Sequence, residues 1–261
     1  MFLSIKRLSF LLFFLLIACL PLNVYAAPQV EILPNHTSFI DSIGYFNVVG
    51  EVQNSGDQAA DYVGVTATFY NVANQVIATR FNYIALSVLL PGTKSPFRVE
   101  FVDVSQSALV DHYSLEIEFT PADSIPKQLQ ITSHNATSDV GFLLFEILGE
   151  VENTGDSTAM LVEVFATCYD EAGDVIQVGG NYAEPVDVGV GQKGSFVIWI
   201  DHENPDLITS YVLTAESDNY GLIPEFNSYL LTILGILLVS ISIFIYKRNI
   251  INKTSKCLIP N

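Results

Sequence analysis

The chain has 261 residues, half of them hydrophobic, and carries 28 carboxylates against 11 Lys and Arg residues, a formal net charge of −17. Between residues 27 and 222 there are five Lys and Arg residues against 27 carboxylates, a net charge of −22. Because proteins bind phosphate backbones through Lys and Arg, we expect no nucleic-acid partner for a surface this acidic.

The N-terminus has the three parts of a secretory signal peptide. Lys6-Arg7 supply positive charge, residues 8–20 form an apolar run, and Val24-Tyr25-Ala26 is a small-residue cleavage site. We therefore predict a signal peptide over residues 1–26, cleaved after Ala26. The run Leu16-Ile17-Ala18-Cys19 leaves an alternative open, since it is similar to the lipobox of bacterial lipoproteins and would place a lipid on the cysteine.

One stretch of the chain occurs twice. Gly50-Glu51-Val52-Gln53-Asn54-Ser55-Gly56-Asp57 returns 99 residues later as Gly149-Glu150-Val151-Glu152-Asn153-Thr154-Gly155-Asp156, and the similarity continues beyond it. A period of this length is too long for a solenoid repeat and is the size of a small domain. We predict two copies of one domain, residues 27–122 and 134–222, joined by a linker at 123–133.

Each copy has the pattern of short strands separated by turns. Apolar residues lie two apart over residues 63–69 and again over 162–168, which is the period of a strand with one buried face. Hairpin turns are predicted at 71–75 and 170–174, where Asn, Asp and Gly cluster. No stretch outside the two termini has a helical pattern. The fold predicted is all-β, two tandem immunoglobulin-like antiparallel β-sandwiches with a signal peptide and a C-terminal transmembrane helix.

Cysteine usage bears on what holds these domains together. Cys168 is the single cysteine between residues 27 and 222, so no disulfide can form within either copy. Each copy must then depend on its apolar core. We expect Cys168 itself to be a buried apolar residue, since it aligns with Phe69.

The order of these features resembles the FxLYD-type extracellular domain. The resemblance runs through Gly-Glu-Val-x-Asn-(Ser/Thr)-Gly-Asp, an aliphatic strand ending in Phe-Tyr or Cys-Tyr, a turn, Val-Ile, a Pro-Gly turn and a Phe-containing strand. It covers residues 44–103 and 143–202, and in the second copy Val190-Gly191 replaces the Pro-Gly turn. It implies a β-sandwich of prokaryotic cell-surface or envelope proteins, usually without known catalysis.

The C-terminus reads as a membrane anchor. Residues 229–246 are uncharged and, at about 1.5 Å per residue in a helix, are long enough to cross a hydrocarbon core. Lys247-Arg248 follow, as the positive-inside rule expects of a cytoplasmic flank, here the tail 247–261. We predict a single-pass protein of the cell membrane with the bulk of the chain outside the cell.

The segment in front of this helix, residues 223–228, contains Pro224-Glu225-Phe226. A tripeptide of this kind before a hydrophobic helix and basic residues is similar to the PEF-type tail signals of archaeal surface proteins. That resemblance implies recognition by an archaeosortase, which removes the helix and attaches a lipid. Two outcomes stay open: a helix retained in the membrane, or a sorting signal that is replaced.

The candidate sites are few. The four histidines belong to no HExxH motif, and we predict no catalytic, cofactor-binding or metal-binding residue. Two acidic turns, at residues 170–174 and 201–206, could hold calcium but lack the ligand spacing of an EF-hand, and solvated turns are the favoured interpretation. Asn35-His36-Thr37 and Asn135-Ala136-Thr137 are glycosylation sequons in exported segments, so Asn35 and Asn135 are predicted to carry glycans.

Together these features predict a non-catalytic surface protein. Its two domains would act as spacers or adhesion modules toward a surface protein or a glycan, with membrane lipid as the partner of the C-terminal helix. The main alternative is an extracellular receptor that captures a ligand or calcium in the acidic turns or in a groove between the domains. A third possibility is an accessory subunit of a membrane complex.

Overall fold

The computed structural model describes residues 27–223. Four predicted segments lie outside these described residues: the predicted signal peptide at 1–26, the predicted sorting tripeptide Pro224-Glu225-Phe226, the predicted helix at 229–246 and the predicted tail at 247–261. Within residues 27–223, no helix has both the length and the apolar character needed to cross a membrane.

The described chain is almost entirely β-structure, with sheets that are antiparallel but for one short pairing, which confirms the all-β prediction. The first repeat contains β1 (Val30–Ile32), β2 (Thr37–Ile40), β3 (Phe46–Asn54), β4 (Ala59–Tyr70), β5 (Val76–Tyr83), β6 (Val88–Leu89), β7 (Lys94–Phe101) and β8 (His112–Ala122). The second contains β9 (Lys127–Asp139), β10 (Leu144–Asn153), β11 (Glu163–Tyr169), β12 (Val175–Tyr182), β13 (Lys193–Asp201), β14 (Ser210–Glu216) and β15 (Gly221–Leu222).

In the first repeat two four-stranded sheets enclose one apolar core. One sheet has β3 at its centre, with β7 on one side and β1 and β2 end to end on the other. The second sheet has β4 at its centre, between β8 on one side and β5 and β6 on the other. Val48 of the first sheet and Val65 of the second meet in the core, as the two-residue period of the apolar positions predicts.

In the second repeat all seven strands belong to one sheet, in the order β12-β11-β14-β15-β9-β10-β13. The halves β12-β11-β14 and β9-β10-β13 correspond to the two sheets of the first repeat. They are joined because β15 pairs antiparallel with β14 and parallel with β9. A second core lies between the halves and includes Cys168, which is fully buried as expected.

The segment between the repeats is short. Strand β8 ends at Ala122 and β9 begins at Lys127, so four residues separate them. Residues 127–133, within the predicted linker, form the first half of β9 and pair with β10 and β15. A single turn of helix, α1 (Val104–Ser107), is a feature that the sequence reading did not anticipate. Its N-cap is Asp103, whose carboxylate accepts the backbone N–H of Ser105 and lies in an exposed loop.

The asparagine of the repeated motif stabilises the turn that follows β3 in the first repeat and β10 in the second. Asn153 is fully buried, and its Nδ2 donates to the carbonyls of Ser157 and Val188, both at 2.8 Å. Asn54 makes the same pair of bonds in the first repeat, to Gln58 at 2.8 Å and Leu89 at 3.0 Å. Each asparagine amide thus connects two backbone segments, one four residues and one 35 residues further along the chain, so the motif has a structural role in both copies.

Candidate functional site

The candidate functional site is the joint between the two repeats. There, β12 and the hairpin turn before it lie against the outer face of the β2-β3-β7 sheet. On β3 the side chains of Asn47, Val49 and Glu51 point away from the first core, since Phe46 and Val48 point into it. All three are nevertheless at most 1% exposed. The second repeat is what covers them.

A carboxylate is enclosed at the centre of this joint. Glu51 Oε1 accepts a hydrogen bond of 2.8 Å from the Tyr169 hydroxyl, and its Oε2 lies 3.3 Å from Lys94 Nζ. Burial, and after it the charge of Glu51, raise the pKa of Tyr169 well above its usual range. The phenol therefore stays protonated and remains a donor. A carboxylate in such a place requires these partners, because an unpaired buried charge is strongly unfavourable.

Arg98 makes a second polar contact across the joint. Its Nη2 donates to the Gln177 side-chain oxygen and, at 2.9 Å, to the Val178 carbonyl. Burial lowers the pKa of Arg98, and the nearby carboxylates, of which Glu100 has the largest effect, oppose that shift. The guanidinium thus binds one edge of β12 to the face of β7.

Two further contacts lie at opposite ends of the joint. At one end, Val175 donates its backbone N–H to the Asn35 carbonyl at 2.8 Å, and Asn35 Nδ2 donates to the Gly173 carbonyl at 3.2 Å. At the other end, Glu216 accepts the backbone N–H of Ser87 at 2.8 Å and its hydroxyl at 2.9 Å. Burial raises the pKa of Glu216, against the effect of these bonds. The contacts span the joint and fix the orientation of the repeats.

A cleft of about 610 Å³ opens at one edge of the joint. Its walls are apolar on the side of Phe142 and Leu143 and charged on the side of Arg98 and Asp201. Asn47 Oδ1 is buried in its wall and has no hydrogen-bond partner among residues 27–223. A groove between the two domains, which the receptor alternative in the sequence analysis requires, is therefore present.

The carboxylates of the two acidic turns accept hydrogen bonds from nearby groups of the protein. Asp170 Oδ1 accepts the backbone N–H groups of Ala172 and Asp174, each at 2.9 Å, which closes the hairpin between β11 and β12. In the other turn, Asp206 accepts the Ser138 hydroxyl at 2.6 Å. Within residues 27–223 there is no group of three or more His, Cys, Asp or Glu side chains placed to hold a metal ion.

The two predicted glycosylation sites have different surroundings. Asn35 lies in the joint, where its Nδ2, the atom a glycan would occupy, is bonded to Gly173. Asn135 is exposed on β9 opposite Leu148. The two sites are also not equivalent in the repeat: His36 and His134 occupy matching positions, each bonded to a tyrosine hydroxyl, at 2.8 and 2.7 Å. Asn135 therefore corresponds to Thr37.

Sequence reasoning did not identify the residues of the joint. Glu51 belongs to the repeated motif, but Glu150, its counterpart, is solvent-accessible and bonded to Lys193 at 2.9 Å. Nothing in the local sequence distinguishes the two glutamates. One visible difference between the repeats falls in the joint: Arg98 and Gln177 have no polar counterparts at the matching positions Val197 and Ala78, but this difference does not by itself indicate a contact.

Comparisons with known proteins leave the chain without an assigned family. No family model matches it, and no curated protein matches it. Among solved structures, the crystal structure of a red sea bream transglutaminase matches with a TM-score of 0.24 and 10% identity. That match covers 75% of this chain, which spans 30% of the transglutaminase chain. A similarity this low carries no argument about function.

Proposed function

We propose that this chain is a non-catalytic, membrane-anchored cell-surface protein whose two immunoglobulin-like β-sandwiches of FxLYD type form one stiff interaction module. The observation that carries the proposal is the joint, in which Glu51, Arg98 and Glu216 each bond across the two repeats. A linker of four residues, together with the burial of Val49 and Glu51 at the joint, favours a fixed geometry over independent motion of the two repeats. Such a module suits a spacer or an adhesion protein that must hold a binding face at a set distance from the membrane.

The side chains that could perform covalent chemistry support a non-catalytic role. Cys168 is buried in the second core, and burial raises the pKa of its thiol to about 12, so little thiolate exists at neutral pH. His36 and His134 are each bonded to a tyrosine hydroxyl of their own repeat, Tyr113 and Tyr211.

The anchor is tested by intact mass and detergent partitioning of the protein from its own host membrane. A mass matching residues 27–261, with or without sugar, supports a retained transmembrane helix. A mass ending near Phe226 with a lipid-sized addition supports processing of an archaeal sorting signal, which still leaves a surface protein. A lipid on Cys19, or a fully soluble chain, would contradict the proposed topology at both ends.

A second candidate function, ligand capture, is favoured by the cleft beside Asn47 and Arg98. The mixture of apolar and charged walls suits a small amphiphilic molecule. Native mass spectrometry of protein purified from its host would test it. A small molecule that co-purifies at one per chain, and is lost on Arg98→Ala, would favour capture over a purely structural joint.

A further inference from the structure

The second repeat has a face that no other part of residues 27–223 covers, and it corresponds to the face buried in the joint. Strands β9, β10 and β13 correspond to the strands that receive β12, and we call their outer surface the free acceptor face. Val49 is fully buried in the joint, whereas its counterpart Leu148 is 40% exposed. Trp199 on the same face is 62% exposed. The carboxylate and ammonium pair of the joint is also present here, as Glu150 and Lys193.

The first repeat has the complementary surface at the other end of the molecule. Strand β5 and the turn before it correspond to β12 and its turn, and we call them the free donor edge. Val175 is fully buried in the joint, whereas its counterpart Val76 is 61% exposed. Tyr70 stands at the place of Tyr169. Asn74 stands at the place of Gly173, and both residues have positive φ, of 57° and 86°, so the two turns share a shape.

At two places the residues that differ between the joint and the free surfaces differ in a compatible way. The polar pair Arg98 and Gln177 of the joint is replaced by the apolar pair Val197 and Ala78. The joint and the free donor edge also each have one aromatic ring at matching paired positions, but the ring is on β11 in the joint and on β5 in the free donor edge. Phe165 of β11 pairs with Gly180 and packs against the first core, while Thr66 of β4 pairs with Phe81, whose ring is 44% exposed.

We propose that the free donor edge of one chain docks on the free acceptor face of a second copy, head to tail, in the manner of the internal joint. This inference deepens the proposed interaction role, on which it rests, by naming the partner as the same protein. In the docked arrangement Tyr70 takes the place of Tyr169 and donates to Glu150, and Val76 covers Leu148. Glu118, the counterpart of Glu216, lies at the other end of the contact.

Such a contact is heterologous, because two different surfaces meet, so each added copy presents another free donor edge and another free acceptor face. Chains anchored in one membrane would then form rows. The strongly acidic surface opposes association at low ionic strength, and salt screens that repulsion. We therefore expect association to strengthen as salt is raised.

The test uses full-length chains in membranes and a short thiol crosslinker. One chain carries Val76→Cys and a differently tagged chain carries Ser133→Cys, the counterpart of Asn35, which bonds to Val175 in the joint. Both chains carry Asn135→Gln, so that a glycan cannot cover the acceptor face, and Cys257→Ser, so that the tails cannot be crosslinked to each other. Asn35→Cys with Val175→Cys in one chain is the positive control for the same geometry. We expect a mixed dimer when the two chains are co-expressed, at least tenfold more abundant than dimers of either chain alone.

Two further variants check that the dimer uses the proposed face. Leu148→Asp should remove at least nine-tenths of the mixed dimer, and Met160→Asp, an exposed apolar position outside β9, β10 and β13, should leave it unchanged. No mixed dimer while the positive control crosslinks would overturn the proposal. The proposal would also be overturned if the Val76→Cys chain formed dimers with itself as abundantly as the mixed dimer, or if the Ser133→Cys chain crosslinked to a different protein. None of these outcomes changes the result of the mass and detergent-partitioning test of the proposed membrane anchor. Failure of the head-to-tail contact can therefore be distinguished from failure of the proposed function.

Discussion

The hydroxyl of Tyr169 in the second repeat donates a 2.8 Å hydrogen bond to Glu51 in the first. Tyr70 has the same place in the first repeat, yet its hydroxyl is exposed and lies 3.3 Å from Ser114 Oγ. One side chain type therefore has a structural role in one copy and a solvent-facing position in the other. The difference arises from which face of each repeat is covered.

Removing the Tyr169 hydroxyl should weaken the joint. Tyr169→Phe leaves the buried Glu51 carboxylate with one partner fewer, and a bond to a charged group contributes about 1.5–3 kcal/mol. We expect a loss of that order in the free energy of unfolding, measured by denaturant titration in detergent. Tyr70→Phe is the matched control and should cost less than about 0.5 kcal/mol, as exposed positions do. Equal losses for the two variants would show that Tyr169 does not stabilise the joint.

The asparagine of the repeated motif should tolerate no carboxylate. In Asn153→Asp, an oxygen replaces the Nδ2 that donates to Ser157 and Val188, and it faces two carbonyls in a fully buried site. Each lost bond with an unsatisfied buried group costs about 1–3 kcal/mol, so the variant should lose several kcal/mol or fail to fold. Asn74→Asp makes the same chemical change on an exposed turn. Its unfolding midpoint should stay near that of the wild type, and a comparable loss there would contradict the explanation.

Much of this fold could be predicted from the sequence, because the apolar period and the turn residues are local signals. The alternation of Val63, Val65, Ala67 and Phe69 predicted a strand with one buried face, and β4 buries all four. The turn before β12 likewise closes as its Asp and Gly residues indicate. Those positions depend on chemistry within a few residues of chain.

The joint could not be predicted in this way, because it depends on contacts more than 70 residues apart. The burial of Glu51 is decided by Tyr169, which is 118 residues away, and that of Arg98 by Gln177. A left-handed backbone at Tyr62 and Leu161, with φ of 48° and 54°, was equally hidden, since neither residue type favours it. Features of this kind follow from packing rather than from local pattern.

Acid should destabilise the first repeat through His36. Burial lowers the pKa of His36 below its usual 6.5, although Asp174 opposes the shift, so the unfolded chain binds the proton more tightly. Stability from this group is complete above pH 6.5 and is lost as the pH falls from there toward the lower folded pKa. Glu216 acts in the opposite direction, since its pKa is raised and protonation favours the folded state. The comparison must therefore isolate His36.

Thermal unfolding of wild type and His36→Gln between pH 7.5 and 5 makes that comparison. The wild-type midpoint should fall relative to the variant as the pH decreases, because the variant lacks the titrating imidazole. His134→Gln makes the same substitution at the matching, exposed position of the second repeat and controls for the loss of an imidazole bonded to a tyrosine hydroxyl. A constant difference between wild type and His36→Gln across this range would show that protonation of His36 does not act on folding.

Glycan occupancy should differ between the two sequons. The structure leaves Asn135 exposed on β9, but it places Asn35 in the joint with its Nδ2 bonded to Gly173 at 3.2 Å. A sugar on Asn35 would be attached to that same nitrogen, at the contact between the repeats. We therefore expect glycopeptide mass spectrometry of the host protein to find most occupancy at Asn135 and little at Asn35. Thr137→Ala, which removes the Asn135 sequon and keeps the asparagine, gives the baseline.

The same measurement bears on assembly, because Asn135 lies on the free acceptor face beside Leu148. A glycan there would cover the surface that a second copy must reach. Chains recovered in crosslinked rows should therefore be depleted of sugar at Asn135 compared with single chains from the same membrane. Equal occupancy in the two fractions would mean that the contact between copies avoids this face, whereas depletion would make glycosylation at Asn135 a limit on how long the rows grow.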